Sequence, residues 1–156
     1  MRSLLFVPGD SERKLEKSLT CGADVLLVDL EDSVAIDAKP RARETAAAFL
    51  GAAGQHAGRP RLYVRVNALD TGETDADLNA VMRAAPDGIM LPKSISGMDV
   101  QHLCAKLAVH EAEHGLADGA TRIIVVATET AASVLNLGTC AGASPRTGGL
   151  TWASEA

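Results

Sequence analysis

The chain's 156 residues fit one domain, and 47% hydrophobic against 22% charged residues provide for an apolar core, which excludes general disorder. Aromatic residues make up only 3%, with Trp152 and Tyr63 alone of their kinds, so the core is aliphatic, which argues against an all-β sandwich or an aromatic platform for nucleic-acid bases. Fifteen basic and 20 acidic residues give a net charge of -5, which supplies no general attraction for phosphate backbones and argues against a nucleic-acid partner.

Arg2 precedes the apolar run SLLFVPG, whose strand-like part is residues 4–7 (LLFV). Asp10, Glu12 and Arg13 end this run well short of the roughly 18 residues a membrane helix needs, so neither a membrane span nor export is expected. Residues 11–19 form a charged predicted helix with Leu15 and Leu19 on one side, and residues 25–28 (VLLV) a second strand. A helix rich in Ala, Arg and Glu follows at 37–50, then a short loop at 51–61 and a third strand at 62–66 (LYVRV). Leu78, Val81 and Met82 mark a helix over 75–84, ahead of a fourth strand at 88–91 (GIML). Val100, Leu103, Leu107 and Ala108 recur at helical spacing through 97–114, and Gly115 closes that helix. A fifth strand at 123–127 (IIVVA), a short helix at 130–137 and a sixth strand at 149–152 (GLTW) complete the pattern. Continuous apolar runs, rather than alternation, indicate strands covered on both faces and hence a parallel sheet. Cys21, Cys104 and Cys140 form no CxxC pair and read as reduced, mostly buried thiols of a cytoplasmic protein.

This β-α alternation suits either an open doubly wound sheet or a (β/α)8 barrel. A complete barrel needs about 250 residues, so length alone favours the open sheet.

Chemistry concentrates just beyond the predicted strands. VDLEDS sets Asp29, Glu31 and Asp32 after the second strand, at the end where α/β folds bind ligands; three close carboxylates need a cation, an arginine or water, or else form a solvated acidic turn. Arg65 sits inside the apolar run YVRVNAL and keeps its charge, so it seeks a carboxylate or an anionic ligand, and Asn67 beside it both donates and accepts. A purely structural ion pair with Asp29 or Glu31 is the plain alternative for Arg65. Lys93 in MLPKS is either an anion contact or Schiff-base lysine, or simply solvated. Glu129 follows the fifth strand and suits a hard cation such as Mg2+, or else a favourable place in a helix dipole. His110, Glu111 and His114 spell HEAEH, a literal HExxH match. No later histidine offers a third ligand, so the pair is expected to bind no zinc and to lie on a packed helix edge or in solvent. GxGxxG after the first strand, GxxxxGK and GxSxG are all missing from the sequence, which removes the defining turns of dinucleotide, P-loop and serine-hydrolase sites.

Read together, RSLLFVPG (2–9), DLEDSV (29–34) followed by Lys39, Ala42 and Arg43, VRVNAL (64–69), GIMLPK (88–93) and ETAAS (129–133) with Asn136 resemble the citrate lyase β-subunit and malyl-CoA lyase family of HpcH/HpaI-like aldolases. The resemblance runs in order over nearly the whole chain. It implies a (β/α)8 TIM barrel, here about the first six β/α units of a shortened or incomplete one, and a homo-oligomer, usually a trimer. It also implies an Mg2+-dependent carbon–carbon lyase that cleaves a β-hydroxyacyl thioester, such as a citryl, malyl or citramalyl group on CoA or an acyl-carrier protein, by a retro-Claisen or aldol reaction. By the same resemblance Glu129 is a catalytic metal ligand and Arg65 binds the substrate carboxylate or developing enolate. Asp29, Glu31 and Asp32 support the metal's waters and orient the other groups, while Asn67 and Lys93, from their own chemistry, are expected as substrate contacts. The chain departs from the family at TWASEA, where Ala156 occupies the position of the second metal-ligand aspartate and Glu155 is only its neighbour, and at Ser133, which replaces a glycine. The alternative from another class is a non-catalytic truncated paralogue that binds a small acid or acyl thioester.

Overall fold

Each apolar run becomes a strand, and each amphipathic interval a helix, in the computed structural model, which describes residues 2–152. The order is β1 (Leu4–Pro8), α1 (Glu12–Ser18), β2 (Val25–Asp29), α2 (Lys39–Gly54), β3 (Arg61–Arg65), α3 (Thr74–Val81), β4 (Gly88–Leu91), α4 (Gly97–Glu113), β5 (Arg122–Val126), α5 (Ala131–Leu135) and β6 (Thr147–Thr151). All neighbouring strands pair in parallel, in the spatial order β1-β2-β3-β4-β5-β6. That sequential order has none of the reversal that defines a doubly wound sheet. It is the order of a barrel, here left open between β1 and β6.

Because side chains alternate across a strand, the sheet has two apolar faces. Leu26, Val28, Leu62, Val64, Ile89 and Val125 pack in one large cluster with Leu15, Leu50, Leu78, Leu103 and Leu107 of the helices. The intervening residues Val25, Leu27, Tyr63, Met90, Ile124 and Val126 form a second cluster, on the face a closed barrel would turn inward. β2 and β4 are buried throughout, as continuous apolar runs predict. The outer strands correct that expectation: Leu5 and Phe6 of β1 are 39% and 48% exposed and Leu150 of β6 is 46% exposed, since each of these strands has a neighbour on one side only.

Element ends move by a few residues from the sequence reading. The predicted helix at 37–50 splits into a 3-10 turn at Ile36–Ala38 and α2, which carries a proline in its first turn. The predicted helix at 130–137 shortens to α5, held by a capping box between Thr130 and Ser133, and resumes as a 3-10 turn at Leu137–Cys140. Among the described residues, no helix is long and apolar enough to cross a membrane.

Gly88 opens β4 because the Tyr63 ring lies directly over its Cα, where a Cβ would overlap the ring carbons. Gly88→Ala therefore displaces a buried aromatic from the inner layer, and urea unfolding should register a loss of roughly 1–3 kcal/mol. An unchanged midpoint would show that the ring has room to move.

Candidate active site

The alternation that puts Val25 and Leu27 on the inner face carries Asp29 there too, and that of β3 does the same for Tyr63 and Arg65. Asp29 and Arg65 are direct register partners at the C-terminal ends of β2 and β3. Arg65 Nε donates to Asp29 Oδ1 and Nη2 to Oδ2, both at 2.7 Å, a bidentate fork. Its remaining nitrogen, Nη1, lies 3.1 Å from Glu31 Oε2 and 3.4 Å from Asp32 Oδ2. The Phe6 ring closes the other side, with its centroid 4.9 Å from the guanidinium carbon.

The acidic loop is shaped around Asp29. The backbone amides of Glu31 and Ser33 donate to its two carboxylate oxygens at 2.9 and 3.2 Å, while its carbonyl accepts from Gly9 N at 2.8 Å. Burial pushes the Asp29 carboxyl up, but the hydrogen bonds from Arg65 and Ser33 outweigh it and hold the group below the usual aspartate value. Glu31 goes the other way. Burial raises its carboxyl above the ordinary range against the opposing pull of Lys93 and Arg65, and neighbouring Asp32 adds to the rise.

Lys93 joins this cluster from the loop after β4. Its Nζ lies 3.0 Å from Glu31 Oε1 and 3.3 Å from Asp32 Oδ1, and its own ammonium is favoured chiefly by the Glu31 contact. Its backbone sits in the left-handed region at φ 49°, uncommon for a side chain with a Cβ. In that conformation the Lys93 amide donates to Glu129 Oε2, which ties the loop after β4 to the residue after β5. Arg65, Asp29, Glu31, Asp32, Lys93 and Glu129 thus form one connected group at the carboxyl ends of β2 to β5. The structural ion pair that the sequence left open for Arg65 is present, and it sits inside this group.

Asn67 stands behind the group rather than in it. The residue is 3% exposed, and its amide is fully used: Oδ1 accepts from Lys39 Nζ at 2.6 Å, and Nδ2 donates to Leu30 O and Asp77 Oδ2 at 3.0 and 2.8 Å. The expected substrate contact is therefore a tie between loops in this structure. Lys39 also donates to the carbonyls of Leu30 and Glu31, and Arg43 Nε to Asp77 Oδ1 at 2.8 Å. The supporting roles of Lys39 and Asp77 carry no signal in the sequence, which does not orient the inward faces of α2 and α3. Ala156, which the resemblance puts at the second metal-ligand position, and its neighbour Glu155 lie outside the described residues.

The donor set suits a hard divalent cation. It offers carboxylate oxygen from Glu129, while both Glu31 oxygens, shielded from solvent, and the Asp32 carboxylate already face Arg65 and Lys93.

Parallel strands in sequential order, with an arginine and several acids gathered at their carboxyl ends, define an open, partial β/α barrel. The chain belongs to the HpcH/HpaI aldolase/citrate lyase family, which matches residues 2–155. It is 40% identical over 104 residues to a (3S)-malyl-CoA thioesterase of Cereibacter sphaeroides, covering 67% of this chain and 36% of that protein. It is 35% identical over 160 residues to the citrate lyase subunit beta of Escherichia coli, covering 99% of this chain and 50% of that protein. The fold matches that of the protein CitE from Mycobacterium tuberculosis, solved in complex with magnesium and acetoacetate, at TM-score 0.72 and 29% identity over 96% of this chain and 52% of that one. The chain thus spans about half the length, or less, of these relatives.

Removing the fork should expose how much depends on it. Arg65→Met leaves Asp29 buried without its countercharge and should cost about 3–5 kcal/mol at pH 7. A depressed folded pKa gives stability that is full above the unfolded aspartate value of about 3.9 and is lost as pH falls through the folded value. The gap between parent and variant in denaturant melts should therefore narrow on acidification. A gap independent of pH would mean that lost packing, not charge, is the cause.

Proposed function

We propose that this chain carries the arginine side of an Mg2+-dependent carbon–carbon lyase site, citrate lyase β-subunit-like, acting on a β-hydroxyacyl thioester of CoA or an acyl-carrier protein. The observation that supports it best is the Arg65–Asp29 fork at the mouth of the parallel sheet, linked through Glu31 and Lys93 to Glu129. Family membership and the magnesium-bound relative support the same reading.

In cleavage, the bond between the acyl thioester's α carbon and the carbinol carbon breaks as the hydroxyl loses its proton, and the electron pair passes to the thioester as an enolate, which is then protonated. Arg65 is the group of this chain suited to that developing charge, because its planar fork is fixed by Asp29 before substrate arrives and needs no reorganisation. Lys93 supplies a second positive charge for a substrate carboxylate, and its Glu31 and Asp32 partners hold it at the rim. Glu129 would hold the cation, and Glu31 and Asp32 would orient Arg65 and Lys93. When bound, Mg2+ polarises the substrate oxygen and neutralises an adjacent carboxylate.

Hydrolysis of the thioester is the second reading, favoured by the 40% identity to malyl-CoA thioesterases. Incubating the chain with malyl-CoA and Mg2+ separates the two by products: acetyl-CoA and glyoxylate for the lyase, malate and free CoA for the hydrolase. The lyase products are expected, with Arg65→Lys reducing turnover about 100-fold or more. Glu129→Gln should weaken Mg2+ binding in calorimetry. Malate and free CoA as the sole products would overturn the lyase reading, and an Mg2+ affinity indifferent to Glu129→Gln would move the metal elsewhere.

A further inference from the structure

The HEAEH segment takes no part in the site described above. It forms the last turn of α4, which starts beyond the carboxyl end of β4 and runs back to the opposite rim of the sheet, where the loop to β5 begins. Helical spacing sets His110 and His114 on one face, with ring planes 13° apart and centroids at 6.3 Å. Glu113 lies one residue before His114, and its Oε2 is 3.5 Å from His110 Nδ1. One donor atom from each of these three residues lies within 4.8 Å of the other two. His110 is only 8% exposed, and its Nδ1 is shielded from water with no hydrogen-bond partner. A buried imidazole nitrogen without a partner is costly, and a metal ion would satisfy it.

We propose that His110, Glu113 and His114 bind a borderline transition-metal dication, Zn2+ by its donor preference. Two imidazoles and one carboxylate suit zinc, whereas Mg2+ and Ca2+ select all-oxygen shells. The sequence reading expected no zinc here for want of a third ligand; the fold supplies one in Glu113, which the HExxH pattern does not count. Glu113 and His114 are exposed and free to close the remaining distance by rotation, with water completing the shell. The residue that the pattern would use as a base is committed elsewhere: Glu111 is 1% exposed and accepts from Arg146 Nη1, Gly119 N and Thr121 N at 2.7, 2.9 and 2.8 Å. The site therefore binds metal without hydrolytic chemistry, and clips the end of α4 to its own last turn.

Calorimetric titration of the chelator-stripped chain with ZnCl2 in Mg2+-containing buffer tests this, in a Cys21→Ser background because that thiol is exposed. One Zn2+ per chain is expected, undisturbed by excess Mg2+, with a zinc-dependent rise in Tm. His114→Ala, at an exposed position, should keep the fold, lose the Tm rise and weaken zinc binding at least tenfold, and Glu113→Gln should weaken it less. Zinc affinity equal in the parent and His114→Ala proteins, displacement of zinc by Mg2+, or no zinc uptake would each overturn the proposal.

Discussion

Two opposite charges in register, Asp29 and Arg65, decide what the carboxyl end of this sheet is able to be. Below them the inner face is filled by aliphatic side chains and Tyr63; at their level it turns ionic, because the alternation of β2 and of β3 brings a charged residue inward one step past the last inward uncharged one. A lone charge of either sign would be expelled from such a place or neutralised. The fork lets both stay, and its third guanidinium nitrogen is what draws Glu31 and Asp32 over the end of the sheet.

A second, buried network fixes the loops from behind. Lys39, Asn67, Asp77 and Arg43 alternate in charge and polarity across α2, the loop after β3, and α3. Lys39 grips the carbonyls of Leu30 and Glu31 from the helix side while Arg65 and Lys93 hold the Glu31 carboxylate from the sheet side. Glu31 is thereby fixed at both its backbone and its side chain. That rigidity explains how a carboxylate can remain in a setting that raises its proton affinity.

The strands were legible because VLLV, GIML and IIVVA are apolar without interruption, the pattern of a doubly covered parallel strand. β1 reads the same way, yet Leu4, Leu5 and Phe6 are exposed and only Val7 of LLFV is buried, since burial depends on whether a neighbour exists and not on the run itself. Sequence also marked Arg65 and Asp29 as charges that need partners. Their mutual register depends on where each strand begins, and no local signal encodes that offset. Asn67 misled for a related reason: a polar residue at a strand end looks available for a ligand, but its partners, Lys39 and Asp77, come from two helices whose inward faces the sequence does not orient. Nothing in MLPKS separates a ligand-facing Lys93 from a solvated one; its left-handed backbone, which aims its amide at Glu129, makes it a link.

Sequential strand order has a consequence for the route by which this molecule is made. Every strand pair joins segments separated by a single intervening helix, so each closes a modest loop, and the entropy of closure stays small. Growth from the N-terminus can then proceed by adding one unit to an existing edge, without threading a later strand between earlier ones. Asp29 and Arg65 both belong to the first three strands, so the ionic clasp is available to a nascent chain long before Glu129 emerges to meet it.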